Sequence, residues 1–573
     1  MGGPASRKFL FIGLLTAARG WTQQPVSTPA DRASQLPVVE PQNGNAAEVR
    51  RPAAYISPYK QAGLPADALR PMLLDAALAQ HVKNGQQLWV GDIMRIGLYS
   101  RLRGEFRENV NFSASNPEKV NRFSQQSQVF FFVNPARDTE LKITLQDARL
   151  WGGDGGVTTG DDRAAFFTNG DNTSGKRNSF DVREAYVQFR NIGITGLGLQ
   201  LGRQILAYGD GRMIGSANWT FGGLSYDGIL LRYDTDILSS HLFAIKGTSS
   251  ATNNMPNGGV SNSSPVQGDS YLAGWYNSLK NDLALLDIYA IGMLRNSAVD
   301  SVCSVVGATC TPDIVVATTA AQRSNLYTFG LRLTNRTDAN KLPAGQKWDY
   351  TLESAIQAGN APDVLFTDAS GNTSATGRRY AGQLFFVQTG YKVLDDLRVG
   401  VQAYYSPGTR DRTGSTIDTF QTLPGPRFGG FPYLNNFNGI SENMGMKNIF
   451  TPSVSLLYES PKWGDFVVSY FYEMKATPQD AWYGISGLAN SGTATANSSG
   501  RISTESASNA AGANLGSLLY HEVNLVWMQR VSTWLSIWVG AGYLHAGNAI
   551  AIARGNDFKA DALMTFVQIQ GAL

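Results

Sequence analysis

Arginines at alternate positions are the residues in this sequence best placed to do chemistry. Arg101, Arg103, Glu105 and Arg107 follow one another two apart. Glu184, Tyr186, Arg190, Arg203, Tyr208, Arg212, Asp227, Arg232, Arg332, Arg398 and Tyr404 complete the candidate set. A guanidinium stays charged and offers a planar fork of donors that matches a carboxylate. A ring of such groups around a wet passage favours anions. Interspersed acids (Glu105, Glu184, Asp234, Glu353, Glu522) would space the arginines and keep an anionic polymer from sticking. The plainer alternative is that these charges pair across an interior and brace it, because an unpaired buried charge is costly.

Other chemistry is poorly supplied. The four histidines, His81, His241, His521 and His545, lack metal-ligand spacing. There is no nucleophile elbow and no phosphate-binding loop, so no metal, no cofactor and no enzyme activity is expected. A lipase- or protease-type enzyme would need a Ser/His/Asp cluster on an outward rim. The glycine run Gly209, Gly211, Gly215 follows a strand with no helix after it and reads as a turn. Gly152–Asp162 carries three carboxylates that could hold Ca²⁺; a solvated surface loop is the simpler reading. Cys303 and Cys310 are the only cysteines. They close as a small disulfide loop in an oxidising compartment or remain two free thiols. The net charge of +3 is too balanced for nucleic-acid binding.

The elements that would position the arginines are strands. Charged residues make up 16% of the 573, against the usual ~25%. Mean hydropathy is −0.18 and no apolar run approaches the ~20 residues of a spanning helix. Glycine is abundant at 61 residues, and aromatics reach 11%. From Met94 onward, apolar and polar residues alternate with period two, which puts them on opposite faces of a strand. Such segments recur near 94–112, 123–133, 139–151, 179–190, 197–208, 225–235, 239–247, 270–279, 284–296, 324–336, 348–360, 378–393, 397–408, 446–459, 465–476, 517–531, 535–547 and 561–573. Short gaps, such as Asn134–Asp138, alternate with long ones, such as Gly209–Leu224 and Ser297–Arg323. That rhythm predicts an all-β, closed antiparallel transmembrane barrel of about 18 strands, with short periplasmic turns and long extracellular loops. His521 falls on the apolar phase of its strand, which suits a membrane interface. Arg203 and Asp227 also share an apolar phase, and a bulge near Gly202 is expected to turn Arg203 inward.

Ahead of the barrel, assigned to 88–573, residues 1–20 read as a signal peptide with Arg7 and Lys8 before a ten-residue apolar core. Residues 21–87 read as a Pro/Gln-rich periplasmic leader, with a short helix at 65–80 that is either packed under the next element or a plug.

One stretch goes beyond pattern. Leu201–Asp227 reads LGRQILAYGDGRMIGSANWTFGGLSYD. It resembles the signature of the alginate-export family of outer-membrane porins, at Gly202, Arg203, Gln204, Tyr208, Gly209, Arg212, Gly215, Trp219, Tyr226 and Asp227. Arg101–Phe112, Leu145–Gly153 and Asp181–Phe189 resemble it too, so the similarity covers about 95–235. The resemblance implies a single-chain barrel in the bacterial outer membrane whose basic lumen passes an anionic polysaccharide outward. Outer-membrane lipid, the barrel-assembly machinery and periplasmic export components are its expected partners. The chain departs from the usual insertion signal by ending Gly571-Ala572-Leu573 rather than on an aromatic. Three other readings stay open: an uptake or general diffusion porin for small anionic solutes, favoured if long loops fold into the pore; an outer-membrane enzyme; and an adhesin working through the loops.

Overall fold

The computed structural model describes residues 88–573 apart from 92, 152–179, 217, 220, 249–269, 281–283, 304–314, 337–345, 368–372, 411–413, 424–437, 442 and 485–515. The signal, the leader with its helix, Gly152–Asp162 and Cys310 lie outside the described residues.

Strands follow the period-two segments. They are β1 (Met94–Glu108), β2 (Lys119–Ala136), β3 (Thr139–Leu150), β4 (Phe180–Phe189), β5 (Leu197–Gln204) and β6 (Tyr226–Asp234). Next come β7 (Leu238–Thr248), β8 (Ser270–Lys280), β9 (Leu285–Cys303), β10 (Val315–Thr334) and β11 (Trp348–Thr367). β12 is a strand in two pieces, Thr373–Tyr380 and Gln383–Lys392, that keep one register against β11 from Trp348 to Ala361, with a shift between Ala361 and Val364. β13 (Leu397–Ser406), β14 (Ile449–Ser460), β15 (Gly464–Met474), β16 (Leu518–Arg530), β17 (Leu535–Ala546) and β18 (Asp561–Ala572) follow. Each pairs antiparallel with its neighbour in sequence, and β1 pairs with β18 from Tyr99↔Ala572 to Glu108↔Leu563. The sheet is therefore a closed barrel of 18 strands. Closure leaves no open edge of ladder groups in the wall.

Side chains sort by phase. Leu98, Ile229, Leu231, Phe329, Leu331, Val401, Leu525 and Val567 are exposed on the outer face. Their neighbours Arg101, Arg103, Arg232, Arg332, Arg398 and Gln568 point inward and are buried. Short connections such as Val393–Asp396 and Pro461–Trp463 gather at one end, and the long ones at the other.

Four details depart from the sequence reading. β1 stops at Glu108, because Asn109 adopts a left-handed φ of 57° and starts a turn; Val110 and Phe112 then pack inside rather than on the outer face. Ser297–Arg323 is not one loop: β9 and β10 continue as a paired ribbon into it. Cys303 ends β9. A seven-residue helix, α1 (Asn548–Arg554), lies in the β17–β18 connection.

The fourth concerns Arg203. The β4–β5 and β5–β6 ladders run through Gly202 without a register shift. The shift lies instead between β3 and β4, where Thr144 pairs Glu184 and Leu145 pairs Val182. It leaves Arg183 as the extra residue and buries it inward beside Glu184. Arg203 and Asp227 therefore stay on the outer face and do not line the lumen. They pair at 3.1 Å, with side chains 28% and 60% exposed.

Candidate functional site

The inward face of the barrel meets a loop. The β5–β6 connection, residues 205–225, folds inside rather than away from the wall. Leu206, Tyr208, Asp210, Arg212, Met213, Ile214, Trp219 and Phe221 are all buried. Its tip is a tight turn: the Gly211 N–H donates to the Tyr208 carbonyl at 2.9 Å. Gly209 has φ +56°, and a Cβ there would lie 3.1 Å from both the Arg332 Cδ and the Tyr276 hydroxyl. Only glycine fits both demands.

Arginines of the wall grip this loop by its backbone. Arg101 donates to the Asn218 carbonyl at 2.7 Å and Arg103 to the Trp219 carbonyl at 3.3 Å. Arg183 donates to the Ser216 carbonyl at 3.0 Å. Their planar heads also sit over rings, with Arg103 4.1 Å from the Trp219 centroid and Arg101 4.3 Å from that of Phe221. Such contacts gain strength when desolvated.

Carboxylates balance the remaining cations. Glu105 lies between Arg103 (3.5 Å), Arg122 (3.2 Å) and Arg107. Glu184 pairs with Lys142 at 2.5 Å, and Glu140 with Arg190 at 2.9 Å. Arg398 grips Asp349 with two nitrogens at 2.7 and 2.8 Å. Arg232 lies 3.9 Å from Asp234, which His241 also approaches at 3.3 Å.

The loop tip joins this network with charges of its own. Arg332 bridges Asp287 of β9 at 2.9 Å and Asp210 of the loop at 2.6 Å. Arg212 pairs with Glu353 of β11. Tyr208 stacks on Tyr276 at 4.5 Å, and Tyr276 on Tyr289 at 5.4 Å. The hydroxyls of Tyr276 and Tyr289 donate to Asp287 and Glu353. Tyr186 is buried on β4, and the Tyr404 hydroxyl donates to the Met446 carbonyl at 3.3 Å. Burial alone would raise the Asp210 carboxyl, but Arg332, Arg212 and Arg336 outweigh it and hold the group far below the ordinary range.

A second connection, between β13 and β14, also folds inward, and its Ser441 carbonyl accepts from Arg107 of β1 at 3.4 Å. The Ser441 N–H and hydroxyl donate to Glu522 at 3.1 and 2.5 Å. Glu473 is fully buried and accepts from Thr451 at 2.5 Å.

The sequence-predicted residues thus divide. Arg101, Arg103, Glu105, Arg107, Glu184, Tyr186, Arg190, Arg232, Arg332, Arg398 and Tyr404 stand on the inward side of the wall. Tyr208 and Arg212 come to the same region from the loop. Sequence reasoning missed Asp210, Asp287, Asp349 and Glu140 as partners, and Lys142 and Arg183 among the cations. The inward phase of β9 (Leu285, Asp287, Tyr289) was readable; the course of the loop was not. Among the described residues no group of three or more His, Cys, Asp or Glu is arranged to hold a metal ion.

The alginate export family model matches residues 93–561. Among similar crystal structures, OccAB4 of Acinetobacter baumannii has TM-score 0.47 and 11% identity, over 85% of this chain and 99% of that one. OccK11 (OpdR) of Pseudomonas aeruginosa has TM-score 0.46 and 10% identity, over 84% and 96%. No curated protein matches the chain.

Proposed function

The chain belongs to the alginate export family and forms a channel in the bacterial outer membrane, and from that premise we propose that it conducts carboxylate-bearing saccharide chains outward by passive diffusion. The observation that supports this is the concentration of guanidinium groups facing inward from β1 to β13. Arg101, Arg103, Arg107, Arg190, Arg232, Arg332 and Arg398 lower the electrostatic barrier for an anionic chain. Tyrosines and glutamines, such as Tyr186, Tyr404 and Gln402, offer partners for sugar hydroxyls. Arg203 and Asp227 drop out of this set because of their outward position. The barrel-assembly machinery and periplasmic export components are the proposed partners.

A second reading has its own observation. The β5–β6 loop lies inside the barrel, and a narrowed passage favours small anionic solutes. Planar-bilayer reversal potentials in asymmetric salt, with polyuronate added as a blocker, test both. Anion preference with block that tightens with chain length supports the saccharide conduit. Equal block by monomer and polymer supports the small-solute channel. Absence of anion preference overturns both.

A further inference from the structure

Arg332 spends its two terminal nitrogens on two carboxylates of different kinds. Asp287 belongs to the wall, fixed on β9 and further tied by Ser278 at 2.6 Å and Tyr276 at 2.8 Å. Asp210 arrives from outside the wall, on the tip of a loop, and meets Arg332 at 2.6 Å. Its other oxygen lies 3.7 Å from Arg212 of the same tip. Arg212 spans the remaining gap to Glu353. The loop tip therefore presents one anion to a wall cation and one cation to a wall anion.

The local charge closes on this arrangement. Arg212, Arg332, Arg336 and Arg398 face Asp210, Asp287, Asp349 and Glu353. Four cations meet four carboxylates, and the group is neutral only while Asp210 is in place. Withdrawing Asp210 alone leaves one terminal nitrogen of Arg332 vacant, the other still on Asp287, and a surplus positive charge in a buried site. An arginine in that condition is a strong carboxylate receptor.

We propose that Asp210 is a tethered stand-in for the cargo, and that Arg332, with Arg336 beside it, is a latent binding seat for a uronate-type carboxylate that Asp210 keeps occupied. The chemistry of the ligand follows from the occupant: a single carboxylate on a short stem, next to stacked rings. Tyr208, Tyr276 and Tyr289 form a buried stacked column there, which fixes the Arg332 end of the site. An incoming carboxylate takes the Arg332 nitrogen that Asp210 leaves, so Arg332 stays paired, while the displaced Asp210 keeps only Arg212, 3.7 Å away on the same tip. Asp210 sits on a loop, so it leaves and returns without breaking the wall, whereas Asp287 cannot. The effect is to weaken cargo binding at this point, so that a polymer with many carboxylates does not lodge. This seat rests on the anion-conduit reading for its physiological cargo, but its existence is tested independently of it.

The test compares the full-length wild-type channel with Asp210→Asn in planar bilayers, using glucuronate as the probe. Asp210→Asn is expected to tighten glucuronate block at least tenfold and to shift the reversal potential toward anions. Asp210→Glu should behave as wild type. Adding Arg332→Gln to Asp210→Asn should erase the gain. Unchanged glucuronate block in Asp210→Asn, with a barrel that still shows heat-modifiable gel migration, overturns the proposal. If Asp210→Asn does not assemble, Asp210→Ser keeps a small polar residue at the turn and is read the same way. A wild type without anion preference whose Asp210→Asn form gains glucuronate block would sink the conduit reading and leave the seat standing.

Discussion

The barrel has two unlike walls. From β1 to β13, the inward face carries Arg101, Arg103, Lys142, Arg183, Arg232, Arg332, Arg336 and Arg398, all buried. Within the strands β14 to β18, Arg530 at the turn end of β16 is the only lysine or arginine, and it is exposed; Lys475, one residue past β15, is buried and donates to the Pro478 carbonyl at 2.8 Å. Ser453, Ser455, Ser469, Glu473, Glu522, Asn524, Gln568 and Gln570 take the inward positions instead. Both walls hold an inward-folded connection. The basic wall donates to the carbonyls of residues 205–225 and, through Arg107 and Tyr404, to those of Ser441 and Met446; the neutral wall accepts from the N–H and hydroxyl of Ser441. A guanidinium with several fixed donors can seize a loop backbone at many points, whereas a carboxylate offers acceptors only. Arginines expected as a ring thus cover one arc, and much of their bonding capacity goes to the loop.

The largest effect that can break this comparison is charge reversal on the basic wall. Arg103→Glu with Arg332→Glu removes the donor to Trp219, strands Asp210 and Asp287, and places a new acid beside Glu105. Truncating one partner of a buried pair costs roughly 3–5 kcal/mol. The loop should come loose, conductance should rise several-fold, and anion preference should vanish. Unchanged conductance together with unchanged reversal potential would show that these arginines neither hold the loop nor shape the field.

On the neutral wall the same logic predicts less. Glu522→Ala leaves the Ser441 N–H and hydroxyl without their acceptor, at a cost of about 1–3 kcal/mol. Thermal unfolding should register it, while anion preference should hold or increase slightly, since an acid has been removed. A loss of selectivity as large as that of the double reversal would erase the distinction between the walls.

Much of this was legible from the residues. Period-two alternation marks Leu98/Tyr99/Arg101 or Leu331/Arg332/Leu333 as strand with one greasy face, because the pleat allows no other sorting. The bareness of β14–β18 was also in plain view, since it needs only a count of lysines and arginines along those segments. Two features were hidden. The inward course of 205–225 depends on long-range bonds from Arg101, Arg103, Arg183 and Arg332, which local spacing does not encode. The bulge at Arg183 depends on the pairing of β3 with β4, and the outward Arg203 was instead assigned a bulge at Gly202. Glycine there tolerates φ +123° without shifting the register, so a permissive residue was mistaken for a break.

The outer face sharpens the comparison from outside. Arg203 and Asp227 form a partly solvated pair, and such pairs are worth ~0–1 kcal/mol. Arg203→Leu with Asp227→Leu should change thermal stability by no more than about 1 kcal/mol and leave reversal potentials where they were. A shift in anion preference would return Arg203 to the lumen.

The smallest expected effect lies where the two walls meet, at the β1–β18 seam. Asp557, just after α1, accepts from the Ser115 N–H at 2.6 Å and the Ser113 hydroxyl at 2.7 Å. These bonds tie the β17–β18 connection to the β1–β2 turn, beside the bridge from Ser113 to Phe558. The backbone N–H of Ser115 first, then the Ser113 hydroxyl, pull the Asp557 carboxyl down to about 2. An unfolded aspartate titrates near ~3.9, so the folded form prefers the charged state. The contribution is complete above about pH 4–5 and fades as pH falls through 4 toward 2. The Asp557 side chain is 18% exposed and water still screens it, so the change in melting temperature should be small. Wild type should exceed Asp557→Asn in melting temperature at pH 6, and the gap should close by pH 2. A gap that persists unchanged at pH 2 would mean that the carboxylate charge contributes nothing to the seam and that the uncharged bonds alone hold it.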